Sequence, residues 1–200
     1  MNEISGPTLP SVEVFNKYGV IFDLPAALLE VIFNLDDTKN YFQFRHLLNF
    51  IFFYLGSIYF YKILIKRFNF EVSFFGTCLY ILSPRMYGDS FYNMKDIIFL
   101  SLLTIAIYYC FEFFKKNDYK NLIFFSFFTS ICIQTRIIGI FIPLSFLLFY
   151  FFSIISKQEN TQYLTKYFIY LILTSVMLVI FWPYLWSNPI NNFYLVFSSL

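Results

Sequence analysis

The sequence predicts an all-α fold: a polytopic transmembrane helix bundle of about six spans, with an amphipathic helix on the outer face near the N-terminus. Three observations carry this reading. Apolar residues make up 59% of the 200 positions and charged residues only 13%, against about 25% charge in an ordinary globular chain. Mean hydropathy is +0.65. The apolar residues also fall in runs close to the roughly 20 positions that cross a bilayer.

The same composition closes other classes. Thirty-one Phe and 17 Tyr are the opposite of a disordered signature, and a net charge of +2 gives no case for nucleic acid. Cys78, Cys110 and Cys132 are odd in number and lie inside apolar runs, which excludes a disulfide scaffold. Phe is spread through every run rather than gathered at the ends, so most of it reads as lipid-facing and core filling.

Taken in order, residues 19–35, GVIFDLPAALLEVIFNL, read as a short amphipathic helix on the outer interface. Residues 47–65, 97–114, 137–156 and 163–182 approach spanning length. Residues 72–83 and 122–133 are shorter. They reach it only by taking in the polar residues that follow, Arg85 for the first, Gln134 and Arg136 for the second. Polar groups at that depth face a bundle interior or a watery cavity.

Charge sets the orientation. Lys62, Lys66, Arg67, Lys115, Lys116, Lys120, Lys157 and Lys166 fall in one set of loops, and only Arg85, Lys95 and Arg136 in the other. The cationic loops belong on the cytoplasmic side, which puts the N-terminus, residues 85–96 and residues 182–189 on the outer face. One membrane domain, 1–200, follows: an outer-face segment 1–44, the bundle 45–182, and an outer-face segment 183–200 that starts a further helix. No signal peptide leads the chain, and its end runs on in an apolar pattern. A preceding span is therefore expected, the chain being a piece of a larger membrane protein.

Residues 83–96, SPRMYGDSFYNMKD, are the most polar stretch near a membrane boundary. Pro84 disfavours an unbroken helix. If helix resumes at Asp89, then Asp89, Asn93 and Asp96 share one face at i, i+4 and i+7. Two carboxylates beside Arg85 and Lys95 suit general-base catalysis and phosphate binding. The same residues also read as a solvated loop with Lys95 and Asp96 at a helix end.

Arg136 either snorkels to the interface or holds an anion in a cavity. Arg45 and His46 read as interfacial anchors. His46 is the only histidine, so a histidine-rich metal site is excluded; an oxygen-only site for a hard cation stays open, and no cofactor is called for. Trp182, Tyr184 and Trp186 read as interfacial anchors, or Tyr184 and Trp186 as a stacking surface for a sugar ring. Glycine-rich phosphate loops, Cys/His metal spacings and a Ser or Cys nucleophile with a histidine partner are not found. Any donor substrate then arrives through the membrane or from outside.

Four segments in the same order carry a family resemblance: the run from Tyr18 to Gly56, then LSPRMYGDSFYNMKDIIFLSLLTIAIYY, TRIIG and WPYLWSNPINNF. Together they resemble polytopic GT-C glycosyltransferases, most of all the protein O-mannosyltransferase-like and aminoarabinose-transferase-like branch. The most specific piece is SPR-x3-DSFYN-x-KD. The resemblance implies that a sugar moves, with inversion, from a polyprenyl-phosphate donor to an acceptor at the outer face. A bacterial inner membrane is expected, with the endoplasmic reticulum as the eukaryotic equivalent. It implies Asp96 as an active-site carboxylate, with Arg85, Lys95 and Arg136 as phosphate partners; Asp89 and Asn93 belong to the same motif.

Two features depart from the family pattern. Relatives carry His where Asp89 stands, and their first outer loop holds an Asp-Glu pair that MNEISGPTLPSVEV lacks. The chain alone is therefore expected to be a shortened member that lacks the first catalytic loop. The rival readings are a non-catalytic membrane subunit that binds lipid-linked sugar without turnover, and a flippase or small transporter. The last needs charge along several spans, where only Lys62, Glu112 and Arg136 approach it.

Overall fold

The structure is a computed structural model, and it describes residues 19–35, 37–155 and 161–198. Residues 1–18 of the expected outer-face segment 1–44, and the basic position Lys157, lie outside the described residues.

Among the described residues the chain forms nine α-helices and two single 3-10 turns, with no strand. Helix α1, Asp23–Ile32, is built from the strong helix formers of LPAALLE and ends at Asn34, whose φ of 49° suits asparagine past a helix end. Only Ala26 of α1 is buried. Leu24, Leu28, Val31 and Ile32 stay exposed, as an interface-lying helix requires.

Helix α2, Thr38–Ile65, starts well before the expected span because its polar first turns are helical too. At 28 residues it is about 42 Å long, more than a bilayer core of roughly 30 Å. Helix α3, Phe70–Leu82, is capped by Asn69, whose side chain accepts from the Val72 N–H at 3.1 Å. It stops short of Arg85. Ser83 turns to φ −56°, ψ 123° ahead of Pro84, and a separate helix α4, Pro84–Tyr92, begins with that proline in its first turn.

Helix α5, Asp96–Lys116, and helix α6, Tyr119–Thr135, are joined through Asn117, at φ 52°. Helix α6 takes in Gln134, as its length requires, but stops before Arg136, which is extended at φ −146°, ψ 127°. A 3-10 turn, Ile137–Ile140, then leads into α7, Phe141–Ile155. Helix α8, Thr161–Phe181, a 3-10 turn Pro183–Leu185 and α9, Pro189–Phe197, complete the chain.

Among the described residues three helices, α2, α5 and α8, are long and apolar enough to cross a membrane. The expected fourth full span, 137–156, is instead a turn followed by a shorter helix. Two residues explain this. Pro143 lacks the N–H that an earlier helix start would use. Gly139 sits so close to α6 that a Cβ there would lie 2.8 Å from the Cys132 carbonyl carbon and from the Ile133 nitrogen. The turn is folded against a backbone rather than stacked into a helix.

Helices α5 and α6 form the centre, packed on each other; α2 lies against α5, and α8 against α6. The α2–α5 crossing is close because small residues meet there. A Cβ on Gly56 would lie 2.8 Å from the Ser101 Cβ and 2.9 Å from its Cα. Such small-residue seams let helices approach in lipid, where no hydrophobic force separates them from solvent tails. Ser57 and Ser101, both buried, return their hydroxyls to the carbonyls four residues back at 2.8 Å, so neither is left unpaired at membrane depth. Gly56→Val is expected to cost about 1–3 kcal/mol through overpacking, read as a lower unfolding temperature in detergent; unchanged unfolding would show that the seam yields freely.

The charged loops separate by connectivity. Residues 85–96, Arg136 and the turn after α8 lie at one end of the bundle. The other end carries the basic loops. There Glu112 is buried and paired with Lys66 and with Lys116, the latter at 3.0 Å. Burial works against the charge of Lys66, but hydrogen bonds to Glu112 and to the Tyr108 hydroxyl outweigh it and hold the ammonium above the usual lysine range. Lys166, 8% exposed, donates to Asn117 Oδ1 at 2.7 Å and so ties α8 to the α5–α6 corner.

Candidate functional site: a carboxylate–guanidinium pair between α5 and α6

The site begins with Asn93. Its N–H still bonds the Asp89 carbonyl at 2.9 Å, closing α4, while its own side chain opens α5. Asn93 Oδ1 accepts the Asp96 backbone N–H at 3.0 Å, and Asn93 Nδ2 donates to Asp96 Oδ2 at 2.9 Å. An asparagine three residues ahead of a helical N–H is a favoured cap. The consequence corrects the one-face expectation: Asp89, Asn93 and Asp96 do not share a helix face, because the chain breaks at Asn93 and restarts.

The other oxygen of Asp96 meets Arg136. Asp96 Oδ1 and Arg136 Nη2 form an ion pair, with the two side chains 52% and 43% exposed. The guanidinium therefore neither snorkels alone nor points into an empty cavity. Its backbone is held on both sides: Arg136 N–H to the Cys132 carbonyl at 2.9 Å, and Gly139 N–H to the Arg136 carbonyl at 2.8 Å. Asp96 also stands in the first turn of α5, where the helix dipole favours a negative group. The result is a carboxylate clamped by one amide and one guanidinium, and about half exposed.

The other expected site residues divide. Arg85 is 90% exposed and pairs only loosely with Asp89 on its own helix, at 3.8 Å; this pair belongs to α4 and is separate from Asp96. Lys95 is exposed in the turn just before Asp96. Tyr184 packs against the cluster of Ile133, Ile137, Leu178, Trp182 and Leu185, which brings the 183–185 turn beside the Arg136 segment. Trp186 keeps its ring 65% exposed while its Nε1 donates to the Val179 carbonyl at 2.8 Å.

Three residues outside the expected site set are also part of this end. Arg45, read as an interfacial anchor, is held by Glu30 at 2.7 Å and Asp23 at 3.0 Å, with Tyr41 beneath it at 4.7 Å. Asp23 and Glu30 are i, i+7 on α1, a spacing that marks one acidic face. Asn49, fully buried in α2, donates to the Ser90 carbonyl at 2.9 Å and the Asp89 carbonyl at 3.3 Å, which fixes the end of α4 and with it Asn93. Gln134 is 1% exposed, and neither of its amide atoms has a partner among the described residues. Its backbone carbonyl accepts from the Gly19 N–H at 3.1 Å.

An apolar groove of about 470 Å³ runs between α5 and α7. Phe99, Leu103, Ile107 and Phe111 line one wall, Phe141, Ile142 and Phe149 the other. Phe99 lies one turn below Asp96 and Ile138 two residues beyond Arg136, so this part of the groove's lining neighbours the ion pair in the chain. From Phe99 to Phe111 it descends about 18 Å at 1.5 Å per residue. Among the described residues no group of three or more His, Cys, Asp or Glu side chains is placed to hold a metal ion. His46 packs edge-on against Tyr92 at 4.9 Å.

A helical bundle with, among the described residues, three helices long and apolar enough to cross a membrane and its ion pairs at the bundle ends defines an integral membrane protein. The chain belongs to the dolichyl-phosphate-mannose-protein mannosyltransferase family, which it matches over residues 19–186. The family is one of membrane glycosyltransferases of the mannosyltransferase type, which bears out the resemblance read from SPR-x3-DSFYN-x-KD, TRIIG and WPYLW. The chain matches no curated protein and no solved structure.

Proposed function

We propose that the chain carries part of the active site of a membrane enzyme that transfers a sugar from a polyprenyl-phosphate donor to an acceptor at the outer face. The observation that carries this reading is the Asp96–Arg136 pair, close in the chain to residues that line the α5–α7 groove. The two residues come from two of the segments that carry the family resemblance, 40 positions apart in the chain.

In this reading the lipid tail lies in the apolar groove and the phosphate takes Arg136, with Lys95 beside it. A guanidinium suits a phosphate because it can offer paired N–H donors. The incoming phosphate competes with Asp96 for Arg136 and so frees that carboxylate. Asp96 then accepts the proton of the acceptor hydroxyl as its oxygen attacks the anomeric carbon. The bond from that carbon to the phosphate oxygen breaks, and the lipid phosphate leaves with its electron pair, held by Arg136 as it was in the bound donor. Tyr184 and Trp186 border the same end and supply aromatic faces toward the sugar. The positive-inside distribution of lysines supports an outer position for this end.

The test is a transfer assay with the complete protein in lipid vesicles, using polyprenyl-phosphate mannose and, separately, a water-soluble nucleotide sugar. Transfer from the lipid donor alone is the expected result. Binding of the lipid donor with no turnover would establish the non-catalytic subunit instead. Transfer from the nucleotide sugar would refute the placing of the donor in the membrane.

A further inference from the structure

The basic end of the bundle, opposite the Asp96–Arg136 pair, carries a second arrangement that sugar transfer does not use. Lys62 and Lys66 lie one turn apart at the end of α2, with Arg67 following. Lys115 and Lys116 end α5. Among the described residues the carboxylate that pairs within this group is Glu112, and Lys66 and Lys116 already hold it. Glu71, on the first turn of α3, makes no ion pair among the described residues.

Lys62 and Arg67 are instead laid on aromatic rings. Lys62 Nζ stands 4.4 Å from the Tyr59 ring centre and 5.9 Å from that of Tyr108. Arg67 Cζ stands 4.2 Å over the Phe111 ring. Both side chains are exposed. Lys66 Nζ, 4.3 Å from the Tyr108 centre, shares that ring with Lys62. Cation–π contacts fix where these cations sit but leave their charge unmatched.

We propose that Lys62 and Arg67 form a seat for the phosphate of an anionic phospholipid. Its chemistry is that of a singly charged phosphodiester, held by the ammonium of Lys62 and the guanidinium of Arg67, while Lys66 stays with Glu112. The source is a membrane lipid because the cations stand at the end of the long apolar helix α2, where headgroups lie. Tyr59 and Tyr108 offer the amphipathic rings that settle at that depth. Clusters of lysine and arginine at such a position attract anionic headgroups. This seat is independent of the transfer site.

The test is native mass spectrometry of the full chain in neutral detergent, titrated with phosphatidylglycerol or phosphatidylcholine, with inorganic phosphate as a competitor. Phosphatidylglycerol is expected to bind at least about tenfold more tightly than phosphatidylcholine. Lys62→Gln with Arg67→Gln removes that preference, and Lys62→Arg with Arg67→Lys keeps it. Neither residue pairs with a carboxylate, so the neutral pair leaves no buried charge bare. Should it fail to fold, Lys62→Gln alone is expected to cut the preference about threefold. Equal binding of the two lipids, or a preference that survives the neutral substitutions, overturns the proposal. Displacement of phosphatidylglycerol by equimolar inorganic phosphate would assign the seat to a soluble anion and equally overturn it.

Discussion

Asp96→Asn is expected to lower sugar transfer by about 10²–10⁴-fold, the usual worth of a positioned general base, while the protein still binds its lipid donor. Asparagine keeps the size of the side chain and the α5 start, but it cannot take the acceptor proton. The cost to folding is expected to be small. Both partners of the Asp96–Arg136 pair are about half exposed, and exposed pairs contribute only about 0–1 kcal/mol. A large loss of transfer with little loss of stability therefore separates a catalytic carboxylate from a structural one. Thermal unfolding measured beside the transfer assay checks both halves. A variant that unfolds early and transfers normally would make Asp96 a helix-start residue only.

Arg136→Gln is expected to act at a different step. Hydrogen bonds to a charged group are worth about 1.5–3 kcal/mol each when lost, so donor affinity should fall about ten- to a hundredfold. Transfer at saturating donor should fall less. The same substitution removes the partner of Asp96, which then faces water and Asn93 alone. Donor titration against the parent protein reads the effect as a raised KM. An unchanged KM would mean that the phosphate is held elsewhere, Lys95 being the nearest cation in the chain.

The helical runs were legible because hydropathy alone marks them, and Pro84 marked the α3–α4 break because its missing N–H acts locally. The shortening of α7 was less legible. Pro143 is visible in the sequence, but the press of Gly139 on the backbone at Cys132 is a contact between elements. The one-face reading of Asp89, Asn93 and Asp96 failed for a local reason: asparagine bonds backbone N–H groups well enough to cap a new helix, and spacing rules assume that no residue does so.

Asp96 and Arg136 were marked as a set only by the family resemblance, since a charge pair 40 positions apart has no period to reveal it. Arg45 shows the same limit. The acidic spacing of Asp23 and Glu30 was present, but the cation it serves lies on the next helix. Asn49 gave no signal beyond being an amide in an apolar run, and its role exists only because α4 folds back over α2.

The most direct measurement is the transfer rate at saturating polyprenyl-phosphate sugar, in vesicles, for the complete protein and for its Asp96→Asn and Arg136→Gln variants side by side. The expected result is that saturating donor restores most of the rate to Arg136→Gln and none of it to Asp96→Asn. An Asp96→Asn protein that transfers sugar at the parent rate would contradict the assignment of this carboxylate to the chemistry.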